Sequence, residues 1–359
     1  MNLKELKLRL LCQGVRIDPR SGIDLGRSGG AGPFGQYVTI EDQVINAPIW
    51  GDAKNSPFTL TYEDGLKIVW NDESVETEIP DKPRFYDLQT SDGTPMKFIA
   101  LRHAADVLAS TVYQKCIYWA VSKQCKFCAI QFSLESGDTI LLKTGEQLGE
   151  VALAAVKYGD ASHVTLTTGT PNERDYGAGM LSEACAGIKA ASPLKVHVQL
   201  SPPEDFGYLD ELANAGVDTI GLHMESADPE VLRNVCPAKA EIGFKRYYDA
   251  VEYSIGLFGE NQVSSFLLAG LGEDLRTFTD ACERLSSLGA VTYIVPFRPL
   301  PNTPLSESRM PSHEYLHNIY AKCGSIMNDY GVRPSKSKAG CVRCGACSLI
   351  QDYVRGEKN

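Results

Sequence analysis

The sequence predicts an α/β protein built on a partial parallel (β/α)6 barrel. Three observations carry this expectation. From about residue 110, short apolar strand patterns alternate with amphipathic helical ones. Six such units follow one another, which suits a barrel or partial barrel better than an open sheet. Polar and glycine residues fall at the C-terminal ends of the strands, where such barrels keep their chemistry: Cys116, Gly169, Ser201, Glu225, Gly270 and Pro296.

Each unit has its own signals. STVYQKC leads into a cysteine-bearing loop. TGEQLGEVALAAVKYG reads as a helix opened by a threonine cap with a glutamate in its first turn. HVTLTTG, LKVHVQLS, DTIGLHME, VSSFLLAGLG and VTYIVPF read as the following strands. MLSEACAGIKAA, DFGYLDELANAG and DLRTFTDACERLSSLG read as helices between them, with a longer helical region after DTIGLHME. The expected organisation is a β-rich N-terminal region over 1–104, the barrel over 105–310, and a C-terminal helix and cysteine tail over 311–359. GRSGGAGPFG (26–35) reads as a surface linker, with a lid as the functional alternative.

The chain has 359 residues, 43% of them hydrophobic, and a net charge of -10. That balance, with no basic run, argues against nucleic acid and anionic membrane as partners. The N-terminal segment is too short and charged for a signal peptide. No apolar run reaches the roughly 18 residues of a spanning helix. The expected setting is cytoplasmic.

Eleven cysteines in a reducing compartment point to metal or catalysis rather than disulfides. Six form two groups, Cys116/Cys125/Cys128 and Cys341/Cys344/Cys347. The scattered Cys12, Cys185, Cys236, Cys282 and Cys323 read as small buried hydrophobes. Structural zinc takes four ligands, and the nearest histidine to the first group, His103, precedes the first strand. A [4Fe-4S] cluster accepts three thiolates and leaves one iron open to a small chelating molecule.

The first cysteine group resembles that of the radical S-adenosylmethionine (SAM) superfamily. Members carry three cysteines after the first barrel strand, most often as C-x-x-x-C-x-x-C with an aromatic before the last. Cys125, Phe127 and Cys128 match, whereas eight residues separate Cys116 from Cys125. The resemblance implies a [4Fe-4S] cluster on these cysteines, SAM on its open iron and a flavodoxin or ferredoxin as reductant. LTTGTPNERD resembles the region that meets the SAM amino group, through Gly169 and Thr170. LHMESADPEVLRNVCP is similar to the biotin synthase and lipoyl synthase-like branch. There Glu225 would face SAM, and Arg233 or Arg246 a carboxylate. SSFLLAGLGED resembles the adenine-contact strand, with Gly270, Gly272 and Glu273. VPFRPLPNTPL resembles a further segment of that branch. The chain is also similar to uncharacterised radical SAM proteins encoded beside nitrilases, which implies a nitrogen-containing small-molecule substrate.

His163, His197 and His223 lie on predicted strands and read first as barrel-core histidines. His197 and His223, expected near strand C-termini, are the better functional candidates. AGCVRCGACSLI resembles the opening of a ferredoxin motif. A second Fe–S cluster, of the [4Fe-4S] type by analogy with that motif, is the preferred reading. Zinc with a remote ligand (Cys323, Cys12 or His317) is the alternative, as is Ser348 or an open position for the cluster. The helix over 311–330 is expected to carry this tail across the barrel mouth. The competing reading of the whole chain is a metal-binding scaffold or electron carrier that never cleaves SAM.

Overall fold

A computed structural model describes residues 1–23, 35–62 and 64–354. The glycine-rich stretch expected as a linker lies almost wholly outside the described residues. The centre of the molecule is one curled seven-stranded sheet. Its six parallel barrel strands are, in order, Val107–Thr111, His163–Thr167, Lys195–Leu200, Thr219–Leu222, Val263–Ala269 and Val291–Pro296. Leu101–His103, from the segment expected to form a separate N-terminal region, adds an antiparallel edge beside the first strand. The first strand ends at Thr111, short of Cys116, because the chain turns there to pair with another segment: Gln114 N–H donates to the Leu141 carbonyl (2.9 Å).

The helices follow the local signals. Thr144 caps Gly145–Tyr158 in a full capping box, completed by Gln147, and Gly159 closes it in the left-handed region. Asp274 caps Leu275–Ser287 through the Thr277 amide. The longer helical region after the fourth strand is three helices, Pro229–Val235, Pro237–Ile242 and Phe244–Phe258, broken at Cys236 by Pro237 and at Gly243. His313–Asp329 is the expected C-terminal helix, with Ser312 as its cap.

The N-terminal region is β-rich, with hairpin strands Gln36–Ile40 and Gln43–Ala47 and a second sheet built around Thr59–Tyr62 and Leu66–Trp70. Its helix Leu3–Gln13 buries Leu6, Leu10 and Leu11 in the same core as the barrel. Cys185 and Cys282 are fully buried, as small hydrophobes would be. No helix of the described residues is long and apolar enough to cross a membrane.

The tail contradicts the expectation that it crosses the barrel mouth. It runs beneath the opposite, N-terminal ends of the strands. Gln262, just before the fifth strand, holds Lys336 and Lys338 through its side chain. Thr219, the first residue of the fourth strand, donates to the Ala339 carbonyl (3.4 Å). Gly340 N–H donates to His163 Nδ1 (3.1 Å). The physical reason is the length and direction of the His313–Asp329 helix, which runs back down the outside of the barrel.

Two helices meet backbone to backbone at glycines. A Cβ on Gly187 would stand 2.1 Å from the Gly145 carbonyl oxygen. Gly187→Ala is therefore expected to destabilise the protein by about 1–2 kcal/mol net, since overpacking costs of ~1–3 kcal/mol exceed alanine's helix preference of ~1 kcal/mol. Gly256 has nothing within 4 Å of such a Cβ, so Gly256→Ala should stabilise by ~0.5–1 kcal/mol. Urea midpoints of the two variants, moving in opposite directions, check the packing.

Candidate active site

The first cysteine group forms one loop at the C-terminal end of the first barrel strand. Cys116 precedes the single helical turn Ile117–Ala120, and Cys128 N–H closes a turn on the Cys125 carbonyl (3.0 Å). Buried Gln114 ties the two ends together. Its Nε2 donates to the Ile130 carbonyl and to Ser133, and its Oε1 accepts from buried Lys143 (2.9 Å). Burial pushes the Cys128 thiol up to about 12, and charge on Cys125 and Cys116 adds to the effect.

Gly169 and Thr170 lie against this loop. Gly169 N–H donates to the Tyr113 carbonyl (2.8 Å), and Ile117 N–H donates to the Thr170 carbonyl (2.9 Å). A Cβ at position 169 would stand 2.0 Å from the Lys115 carbonyl oxygen. The glycine is thus required by the approach of two backbones.

Phe127 packs against Leu232, Val235 and Cys236, and Lys126 N–H donates to the Val235 carbonyl (2.9 Å). Cys125 packs against Cys236, a neighbour that spacing along the chain did not reveal. Glu225 sits beyond the fourth strand with a φ of 69°, and its backbone is held on both sides by the fifth strand, at Phe266 and Leu268. Its carboxylate pairs with Lys239 Nζ (2.6 Å), which also donates to the His223 carbonyl (2.7 Å). Burial disfavours the Lys239 ammonium, but the Glu225 carboxylate and the nearby Cys125 hold it well above its usual range.

The two arginines are placed differently. Arg233 is exposed on Pro229–Val235, away from this pair. Arg246 borders an open cleft of about 610 Å³ together with Glu204, Asp205 and Lys245, and its Nε donates to the Pro203 carbonyl (3.1 Å). Gly270 and Gly272 have φ of 107° and 111°, a turn that other residues resist. Glu273 is occupied within that turn. Its carboxylate accepts from Gly270 N–H (2.6 Å), Leu271 N–H (2.8 Å) and Tyr315 Oη (3.1 Å).

The barrel interior is polar. His163 begins the second strand and His197 lies in the first half of the third, so neither is near a strand C-terminus; His223 just passes the end of the fourth. His197 Nδ1 bonds Thr219 Oγ1 (2.7 Å), and His223 stacks on Phe266 at 3.8 Å. The Nε2 atoms of all three histidines are buried without a hydrogen-bond partner among the described residues. A Cβ on Gly221 would stand 2.8 Å from His223 Nε2 and 3.1 Å from His197 Nε2, so the two nitrogens converge over this glycine. Burial lowers His163 to about 4 and His197 to about 3, and carries His223 well below 6.5. All three imidazoles are neutral.

The second cysteine group enters this interior from below. The His197 ring lies against Gly340, whose Cβ would be 2.3 Å from its Cγ. Gln199 Nε2 reaches Cys341 Sγ (3.4 Å), and Asn46 Nδ2 reaches Cys347 Sγ (3.5 Å). Cys344 lies with them: burial and the charge of Cys347 and Cys341 push its thiol well above its usual range. Arg298, buried and bonded to the Asn46 carbonyl, faces Cys347. The remote ligand candidates have other partners. Cys323 packs on Cys282, His317 bonds Tyr353 Oη (2.7 Å), and Ser348 bonds Tyr320 Oη (3.3 Å). Cys12 is buried in the core, its thiol pushed up to about 12 by burial.

The model of the radical SAM superfamily matches residues 122–285. The match begins inside the cysteine loop, between Cys116 and Cys125. The bacteriochlorophyllide c C-7(1)-hydroxylase of Chlorobaculum limnaeum is 24% identical over 139 residues, which are 38% of this chain and 34% of that protein. The chain therefore spans about a third of the length of that relative. Similar solved structures include the FeFe-hydrogenase maturase HydG from Carboxydothermus hydrogenoformans, 21% identical over 63% of this chain and 52% of that one, with a TM-score of 0.48. A radical SAM methyltransferase from Sphaerobacter thermophilus is 15% identical over 72% and 74% of the two chains, with a TM-score of 0.47. Methylornithine synthase (PylB) is 20% identical over 62% of each, with a TM-score of 0.46.

The buried histidines make stability depend on pH. Unfolding lets His163 and His197 take up protons below pH 6.5, whereas the folded protein binds them only near 4 and 3. The unfolded state then holds more protons, so stability falls as pH drops from 6.5 towards 4, by about 1.4 kcal/mol per unit for each histidine. His197→Asn should remove one such contribution from the slope, measured by urea unfolding of the metal-free protein at pH 5 and 6.

Proposed function

We propose that the protein is an enzyme that reductively cleaves SAM and uses the product radical to take hydrogen from a small-molecule substrate. The observation that supports this most is the clustering of Cys116, Cys125 and Cys128 in one loop at the C-terminal end of the first strand. Three half-buried thiols carried by one loop, with no fourth cysteine in it, suit a [4Fe-4S] cluster with one open iron. Cys116, Cys125 and Cys128 would hold that cluster, which would supply the electron that splits SAM into methionine and a 5′-deoxyadenosyl radical.

The chain's own residues then have distinct tasks. Gly169 and Thr170 bring the end of the second strand within reach of the cluster loop. Glu225 and Lys239 form an ion pair (2.6 Å) at the end of the fourth strand, and Arg233 or Arg246 would meet the SAM carboxylate. Gly270 and Gly272 shape the turn above the fifth strand, with Glu273 as its internal brace. Phe127 closes the loop against Val235. The barrel interior, in which His197 and His223 are buried, would shield the reacting centre from water. Its neutral imidazoles, His197 and His223, suit an uncharged polar group, and the likeness to proteins encoded beside nitrilases supports a nitrogen-containing substrate.

Cys341, Cys344 and Cys347 are read as ligands of a second Fe–S cluster at the other end of the same interior. Gln199 and Asn46 would donate to its sulfurs, and Arg298 would balance its negative charge.

Cys125→Ala should abolish 5′-deoxyadenosine formation with dithionite as reductant while the fold, followed by circular dichroism, persists. A normal yield from this variant would overturn the assignment of the loop. Anaerobic reconstitution should give about eight irons per chain, and replacing Cys341, Cys344 and Cys347 together should leave about four. Stoichiometric zinc, with unchanged iron in the triple variant, would instead make the tail a zinc site.

A further inference from the structure

The third, fourth and fifth barrel strands turn polar side chains towards one point in the interior, and Gly221 leaves that point open. In register, His197 stands beside Thr219, and Gly221 beside Ser264. Neighbours across a parallel ladder share a face, as do alternate residues along a strand, so these four lie on the inner face with His223 just beyond. His197, His223 and Ser264 are 2%, 8% and 3% exposed. Their Nε2, Nε2 and Oγ atoms have no hydrogen-bond partner among the described residues. The two nitrogens converge over Gly221, where any side chain would displace the His223 ring.

The bonds on the far side of each ring fix which nitrogen carries hydrogen. Thr219 Oγ1 gives its one hydrogen to the Ala339 carbonyl (3.4 Å), so it accepts from His197 Nδ1–H (2.7 Å). His197 Nε2 is left with a lone pair. At His223 the order is reversed: Nδ1 accepts from Phe266 N–H (3.2 Å), so the hydrogen sits on Nε2. Burial keeps both rings neutral. One acceptor and one donor therefore meet over Gly221, beside a Ser264 hydroxyl that can take either part. A neutral group with an N–H and a C=O side by side complements this pair. A carboxylate has no hydrogen for His197 Nε2, and an ammonium has no acceptor for His223 Nε2–H. Neither finds a counter-ion in two neutral imidazoles.

We infer that His197 and His223 bind the amide edge of a carboxamide or lactam substrate, His223 Nε2–H donating to its carbonyl oxygen and His197 Nε2 accepting from its N–H. This rests on the function proposed above, and adds to it the chemical class of the substrate. A site built to hydrogen-bond an N–H rejects the analogue that lacks it, because its own buried acceptor is then left unpaired.

The test uses the reconstituted full chain, with and without SAM, and two probes of one shape. The lactam 2-pyrrolidinone carries both groups, whereas cyclopentanone keeps the carbonyl and has a methylene in place of N–H. Equilibrium dialysis gives both affinities. The lactam should bind about tenfold tighter than the ketone to the parent chain. In His197→Phe that preference should fall below about twofold, because only the N–H contact is lost. In His223→Phe both probes should weaken by about tenfold, because both share the carbonyl contact. Circular dichroism and iron content check that the variants fold. Equal binding of the two probes to the parent, or no binding of the lactam, would overturn the proposal and make a buried water the bridge between the two nitrogens. So would a lactam preference that survives in His197→Phe. If a variant fails to fold, the comparison of probes on the parent chain still decides. Should SAM cleavage fail, the proposed function falls, while the dialysis measurements still decide the amide site.

Discussion

The contact on which the site depends is the approach of two backbones at Gly169. Residues 113–117 leave the first barrel strand and run across the end of the second, close enough that no side chain fits between them. Two hydrogen bonds, Gly169 to Tyr113 and Ile117 to Thr170, fix the crossing. Cys116 is thereby set over the strand ends. The Gln114–Lys143 pair then closes the loop, and Phe127 and Val235 dock it onto the helices after the fourth strand. Without the glycine the loop would have to lift away, and the thiols would separate.

The interior explains why the tail enters from below. The barrel presents His163, His197, Gln199 and His223 inward, and buried polar groups left unpaired cost about 1–3 kcal/mol each. The tail relieves part of this by giving His163 an amide donor and Gln199 a sulfur acceptor. The Nε2 atoms of His197 and His223 remain without a hydrogen-bond partner among the described residues, as groups held ready for a ligand would be, while His163 Nε2 lies 4.0 Å from Asp106. The two cysteine groups thus stand at opposite ends of one polar column. Gln199 reaches Cys341 on one side, and Lys239 bonds Glu225 and the His223 carbonyl on the other.

Long-range pairing also brings a positive charge to the site that spacing along the chain did not reveal. Pro237 breaks the helical phase after Val235, so Lys239 turns inward to Glu225 while Arg233 stays in solvent. A continuous helix would have offered a different residue.

The barrel strands, the helix caps and the Cys125–Cys128 spacing were legible in the sequence because each depends on neighbours within a few residues. Apolar periodicity, capping side chains and turn glycines are local signals. Partners distant along the chain were not legible: Lys239 for Glu225, Asn46 for Cys347, Gln199 for Cys341 and Cys236 for Cys125. Nor was the fact that Glu273 braces its own turn, or that the tail meets the strands at their N-terminal ends. The sequence by itself determined which segments become strands and helices and which residues could carry thiolate chemistry. Tertiary packing alone decided which of those residues face each other, because that choice depends on how whole elements cross and not on spacing along any one of them.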